Sequence, residues 1–397
     1  MERRAPAPRV RKPRCYRRAM PEINGFSHLA IAVEDLDRSL HFYCDLLGLE
    51  LFTRYKYEDF SGDQGGAWEG GEATRGFALV HLAPPRADAP TPFLSINTVG
   101  QTIMQFGSQE QKDFFLPKIL AGEAHFSIGY TEPGAGTDLA SLKTKAVKDG
   151  DEWVINGQKI YTSLASYADY IWLAARTDPD APKHRGITIF AVPTTDPGFT
   201  YSKINTMVNA STFNTFYDDV KVPDSAIIGE LNRGWDLIVN QLNYERVGLA
   251  PSGGVEAVYE AVVDWAKAAE APEGGRVIDQ PWVRANLARV KADLEFLILI
   301  NWKVAALEAA GQHVNPADAS STKVFGTEFF TRAYGLLMEV LGQGGALRKE
   351  SPGAVLAGRL DRAYQGALIL TFGGGVNEVQ RDLIAMFGLG MPRTPRM

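Results

Sequence analysis

Cysteine is nearly absent: 397 residues contain two, Cys15 and Cys44. Two thiols confined to the first tenth or so of the chain cannot staple it, so a disulfide scaffold is excluded and a reducing, cytoplasmic setting is expected. Long hydrophobic runs are missing as well. The densest apolar stretches are as short as residues 296–300, well below the 18 or more needed to cross a bilayer as a helix, and no membrane association is expected. Charge of one sign is also lacking. The 41 basic and 47 acidic residues leave a net charge of −6, which disfavours nucleic acid and other polyanions as partners.

What is present is ordinary globular material, 45% hydrophobic and 22% charged, which excludes disorder and collagen-like repeats as the main organisation. At roughly 150 residues per domain, this length allows two or three domains. The charge is unevenly spread. Residues 1–19 carry Arg3, Arg4, Arg9, Arg11, Lys12, Arg14, Arg17 and Arg18 against Glu2 alone, with three prolines and no apolar core, so no secretory signal is expected in them. A basic arm for nucleic acid competes there with a disordered leader over residues 1–20, or with a natural start at Met20.

Hydrophobic periodicity divides the rest. Residues 28–33 read as a buried strand, and Asp35 caps a helix whose apolar stripe runs from Leu36 to Leu47 and stops at Gly48. Two more strands follow at 50–57 and 75–82, giving a strand-helix-strand-strand unit that ends at the Pro/Ala-rich stretch 83–92. Residues 96–106 are expected to be helical, then Ser108 and Gln111 form a capping box before 112–120. Strands are expected at 143–147 and 153–155, with turns at 148–151 and Asn156-Gly157, and again at 170–176, 187–193 and 213–222. They imply a small β-barrel or sandwich. Helices at 235–250, 254–269, 281–311, 320–342 and 354–370 then read as an antiparallel bundle.

Four segments carry chemistry. GYTEPGAGTDLASL places Pro133, Gly134 and Gly136 between Thr131 and Thr137, a loop where backbone amides and hydroxyls can approach a ligand. NGQKIYTS sets Tyr161 and Ser163 on one strand, an aromatic to cover a flat ring and a hydroxyl to donate to its edge, against the plainer reading of a core tyrosine. QLNYERVGLA puts Glu245 and Arg246 on an amphipathic helix, either as a site or as an exposed ion pair. TFGGGVNEVQR offers three glycines ahead of a helix, either an anion or carbonyl cradle or a plain turn.

In their order and spacing these segments, with INGQK, KVPDSAIIGELNRGW and GGGVNEVQRDLIAMFGLGMPR, resemble the acyl-CoA dehydrogenase family over about 87–397. The nearest likeness is to the hetero-oligomeric steroid side-chain subgroup of actinobacteria. The resemblance implies an α+β multidomain chain: remnant N-terminal helices (87–122), a middle β domain seating the flavin (123–232) and a C-terminal helical bundle carrying the base (233–397). It further implies FAD as cofactor, an acyl-CoA substrate, electron-transfer flavoprotein or a similar acceptor, and a second dehydrogenase-type subunit. Cofactor contacts are implied at Ile128, Tyr130, Thr131, Gly136, Thr137, Tyr161, Ser163, Gln280, Val376 and Asn377. The chemistry is removal of the α-proton of a thioester while hydride leaves the β-carbon, with the thioester oxygen polarised by the Gly374 amide. Many members carry the base in the loop where Gly374 stands here; a smaller group carries it just before an arginine on the first bundle helix, which points to Glu245 beside Arg246.

Two departures qualify the match. The Arg-x-Thr-Phe segment with which the family grips a neighbour's FAD is replaced by AKAAEAPEGGRVIDQ, which keeps Gln280 and offers only Arg276, out of register. Half a flavin site is therefore expected, completed by a partner in an α2β2-type assembly. Residues 21–86 stand where family members have further helices, and SHLAIAVEDLDRSLHFYCDLLGLEL resembles part of a glyoxalase/bleomycin-resistance (vicinal oxygen chelate) module. In that family the residue matching His28 binds metal; His81 is the one nearby second ligand, and no working metal site is expected. The alternatives to a flavoenzyme subunit are a catalytically impaired fusion or partner subunit, and a metal-dependent glyoxalase-like lyase or binding module run by residues 21–83.

Overall fold

A computed structural model describes three strands within residues 27–82 by backbone alone, and residues 94–393 except 208–210, 311 and 313. The early strands are β1 (Ser27–Val33), β2 (Glu50–Lys56) and β3 (Gly76–Leu82), all antiparallel in the order β1-β3-β2. They agree with the three expected strands. The expected helix between β1 and β2, the basic leader and both cysteines lie outside the described residues. His28 and His81 are register partners across β1 and β3.

A π-helical turn, Ser95–Gly100, runs into α1 (Gln101–Phe106), which Gly107 ends, and α2 (Gln109–Leu120) follows. The capping box forms as expected, with the Gln111 amide donating to Ser108 Oγ at 3.2 Å and the Ser108 amide to Gln111 Oε1 at 3.0 Å.

Eight strands form one mixed sheet: β4 (Phe126–Gly129), β5 (Lys145–Asp149), β6 (Glu152–Ser163), β7 (Tyr170–Arg176), β8 (Ile187–Pro193), β9 (Phe199–Ile204), β10 (Thr212–Pro223) and β11 (Ile227–Ile228). Their order is β11-β8-β7-β5-β6-β10-β9, with β4 parallel to β7. β9 and β11 lie at opposite ends of this path, and Ile155, Leu173, Phe190, Phe199 and Val220, from five of its strands, share one core. Central β7 is buried on both faces. Trp172 and Ala174 join a core with Ile103, Phe115, Phe126, Leu237 and Ile238, while Ile171, Leu173 and Ala175 join Ile155, Phe190 and Val220 on the other side.

The Asn156-Gly157 turn is also corrected. These residues lie inside the twelve-residue β6, which pairs with β5 only as far as Asn156 and with β10 along its other edge. The glycine is there for room: a Cβ on Gly157 would sit 2.5 Å from Thr144 Oγ1, where the chain crosses on its way into β5.

The bundle comprises α3 (Gly234–Gly248), α4 (Ser252–Ala268), α5 (Pro281–Ala309), α6 (Pro316–Leu341), α7 (Arg359–Ala367) and α8 (Asn377–Leu383). Asn315 caps α6 by accepting from the Ala317 amide at 2.9 Å, with Pro316 at the first helical position. Val255, Val258 and Val262 of α4 recur at helical spacing and pack with Leu287, Val290 and Leu294 of α5 and Phe329, Ala333 and Leu337 of α6. The expected long helix over 354–370 shrinks to α7, because Leu356 and Ala357 adopt φ of 49° and 50° and interrupt the helical path before it.

Candidate active site

The site is assembled where the loop after β4 meets β6 and α3. Glu132 is the anchor of that loop. Its carboxylate accepts from the amides of Lys143 (2.7 Å) and Thr144 (2.8 Å) and from the Lys159 ammonium (2.9 Å), which also donates to the Tyr130 carbonyl at 3.1 Å. Burial alone would raise the Glu132 pKa, but Lys159 and these donors hold it below the ordinary carboxylate value. Burial draws Lys159 down to about 8 even beside Glu132, so the pair stays charged at neutral pH. Glu132 and Lys159 stand inside GYTEPGAGTDLASL and NGQKIYTS, where neither residue is marked as special by its neighbours. The signal was a lysine at a position where β6 alternation turns the side chain inward.

This pinned loop exposes Pro133, Gly134, Gly136 and Thr137, with Thr131 partly buried. The Thr131 carbonyl accepts from the Ile160 amide at 2.8 Å, which seats the loop beside Tyr161. Tyr161 has φ of 59° and is 59% exposed. A left-handed conformation costs an L-residue about 1–2 kcal/mol, and here it presents an aromatic ring to solvent next to the exposed Ser163. Both features fit a ring-bearing cofactor laid along this strand. Ile128, on β4, is partly buried.

Tyr130 links the loop to α3. Its buried hydroxyl accepts from Trp172 Nε1 at 2.9 Å and donates to Gln241 Oε1. Gln241 is fully buried, and its Nε2 meets no acceptor among the described residues. An orphaned donor of this kind is costly unless a ligand completes it. Glu245 follows Gln241 by four residues, one helical turn along α3. Burial pushes its carboxyl above the ordinary carboxylate value, against the pull of Arg246 and Lys323.

Arg246 joins α3 to the glycine turn, donating from Nε to the Gly374 carbonyl at 3.1 Å. Gly374 has φ of +65°, and a Cβ there would come within 2.8 Å of Leu249 Cδ1. The turn is therefore both left-handed and pressed onto α3. Val376 precedes α8 as its cap residue, and Asn377 is buried, donating to Thr327 Oγ1 (3.2 Å) and Glu328 Oε1 (3.1 Å).

Glu245, Arg246 and Gly374 are thus brought together, and Tyr130, Thr131 and Tyr161 form a second group joined to the first through Gln241. Gln280 belongs to neither. It sits just before α5, bonded within its own turn, and Arg276 beside it is engaged with Asp279 at 2.9 and 3.0 Å. Trp172, Gln241 and Lys323 are site residues that sequence reading missed; each is a polar group in an otherwise apolar or helical run.

Residues 127–220 match the description "Acyl-CoA dehydrogenase, middle domain" and residues 232–389 match "Acyl-CoA dehydrogenase, C-terminal domain". The acyl-CoA dehydrogenase FadE26 of Mycobacterium tuberculosis is 55% identical over 78% of this chain and 79% of its own length. The ChsE4-ChsE5 complex from Mycobacterium tuberculosis contains a chain 55% identical, with a TM-score of 0.72 over 78% of this chain and 80% of that one. A structure described as the Tcur3481-Tcur3483 steroid ACAD is 51% identical, with a TM-score of 0.73 over 78% and 79% of the two chains.

Proposed function

The chain belongs to the acyl-CoA dehydrogenase family, whose members are FAD-dependent flavoproteins acting on the CH–CH bond of acyl-CoA, and on that premise we propose that Glu245 is its base. In this reading the enzyme converts an acyl-CoA thioester to the 2,3-enoyl-CoA. The observation that carries it is the placement of a carboxylate of raised proton affinity one residue before Arg246, which itself holds the turn at Gly374.

FAD, when bound, supplies the two-electron sink that takes the hydride from the β-carbon. The work of this chain's own residues is to place the thioester and move one proton. The α-proton goes to the Glu245 carboxylate, whose raised affinity suits it to that transfer near neutral pH. Negative charge then grows on the thioester oxygen, and the Gly374 amide donates to it. The loop held by Glu132 and Lys159, with Tyr161, Ser163, Val376 and Asn377, would hold the cofactor. Electron-transfer flavoprotein or a similar acceptor would reoxidise it.

We further propose a steroid side-chain CoA as the substrate class and a second dehydrogenase-type subunit as partner. Both are supported by 51–55% identity to chains in structures described as a steroid ACAD and as a two-component complex. The engagement of Arg276 within its own turn agrees with a flavin site that this chain completes only with a partner. The test is anaerobic mixing of the FAD-loaded enzyme with steroid side-chain acyl-CoA thioesters. Flavin bleaching by wild type and none by Glu245→Gln is expected.

A further inference from the structure

The glycine turn has a second tie, from α6. Lys323 of α6 is fully buried, yet its Nζ lies 3.0 Å from the Thr371 carbonyl, 2.8 Å from the Gly375 carbonyl and 2.6 Å from Asn377 Oδ1. The three acceptors bracket the turn, before it, at its last glycine and just after it. With Arg246 on the Gly374 carbonyl at 3.1 Å, the carbonyls of Thr371, Gly374 and Gly375 are all fixed by side-chain cations. Each held carbonyl fixes the plane of its own peptide and so the amide of the next residue, those of Phe372, Gly375 and Val376, and these fixed peptides bracket the Gly373–Gly374 peptide that carries the Gly374 amide. Among the described residues no acceptor meets the Gly374 amide itself.

We infer that Lys323 is a positioning residue: by clamping the carbonyls of Thr371 and Gly375 and the side chain of Asn377, it aims the Gly374 amide at the oxygen on which charge develops. This rests on the reading of Glu245 and Gly374 given above, and it assigns Lys323 no contact with substrate.

Chemistry supports a tie rather than a proton carrier. Three acceptors need three N–H donors, which only the ammonium supplies. Burial, with Arg246 adding to it, lowers the Lys323 pKa to about 8, which still leaves it charged at neutral pH. The second layer is complete as well: Asn377 is held by Thr327 and Glu328, and Ser320 Oγ donates to Gln380 Oε1 at 2.8 Å. Ser320, Lys323 and Thr327 recur at helical spacing, a polar stripe on α6 facing the turn. Such a stripe buried in a bundle core is expensive unless every member is paired, as these are.

The test separates aiming from mere support. The probe is the 3-thia analogue of an acyl-CoA that wild type oxidises. Sulfur at position 3 removes the transferable hydride and acidifies the α-hydrogens, so proton removal alone is read as deuterium uptake at C2 in D2O by mass spectrometry. In the FAD-loaded protein, Lys323→Met should slow enzyme-dependent uptake by roughly 100-fold. Its FAD content and its affinity for the analogue should stay within about twofold of wild type, and Lys323→Arg should recover part of the rate. Faster amide exchange confined to residues 371–377 should accompany the loss. Uptake at the wild-type rate in Lys323→Met would overturn the inference, as would a loss of rate matched by equal losses of FAD and analogue binding. Should Lys323→Met not fold, Lys323→Gln keeps a polar end with too few donors for the three acceptors and should act in the same direction. Undiminished uptake in Glu245→Gln would instead overturn the assignment of the base.

Discussion

Glu245 is expensive to keep, since burial raises its proton affinity and the partly buried Arg246 beside it returns only part of that cost. The expense has a measurable consequence. The base acts as the carboxylate, so the rate must fall as pH drops through the Glu245 pKa, and because that pKa is raised, the acidic limb of kcat should lie above 4.5. A pH–rate profile checks this, and a limb at or below 4.5 would contradict the assignment. The candidacy of Glu245 is legible in the sequence because the glycine run lacks a carboxylate at Gly374 while a Glu-Arg pair stands on the first bundle helix. Glu132, Lys159 and Lys323 were not, because a charged residue in a linear sequence reads as a solvated surface group. Only the tertiary contacts of Glu132 with the amides of 143 and 144, and of Lys323 with Thr371 and Gly375, make them internal.

Among elements, α3 does the most, since Gln241, Glu245 and Arg246 connect the loop after β4 to the glycine turn within little more than one helical turn. At Gly374 that turn is left-handed and pressed onto α3. Gly374→Ala would place a side chain at φ of +65°, costing about 1–2 kcal/mol, and press Cβ on Leu249 Cδ1. The variant should fold, with kcat reduced about 10-fold because the amide shifts. Adding Leu249→Ala should relieve the contact and restore part of the loss; steady-state kinetics on the single and double variants decides it. Element type was largely readable: β7 and β8 match their expected bounds, and the capping box of α2 forms as its Ser and Gln foretold. Asn156-Gly157 misled because the pair is a common hairpin signal, whereas here glycine answers the crossing of Thr144. The positive φ at Leu356 and Ala357, which no residue type announces, shortened α7.

For the whole molecule, the order of middle sheet and bundle was legible from periodicity, and the family from its motifs. The order of the strands was not, since strand pairing depends on partners distant in sequence. Met104 on α1 is 62% exposed and Val239 on α3 is 43% exposed, apolar surface that a partner could cover. Together with the engaged Arg276, this leads to an expectation about assembly. Purified alone, the chain should carry well under one FAD per subunit; co-expressed with its dehydrogenase-type partner, it should carry stoichiometric flavin in a hetero-oligomer. Flavin absorbance against protein concentration, with the mass of the assembly, measures both.

The central claim, a flavoenzyme whose base is Glu245, is tested most directly on that assembly. FAD-loaded wild type and Glu245→Gln are mixed anaerobically with the same steroid side-chain acyl-CoA thioester and the flavin absorbance is followed. Bleaching of wild type, and an unbleached flavin in a Glu245→Gln protein of equal FAD content, is the expected result. Bleaching of both at similar rates would place the base elsewhere.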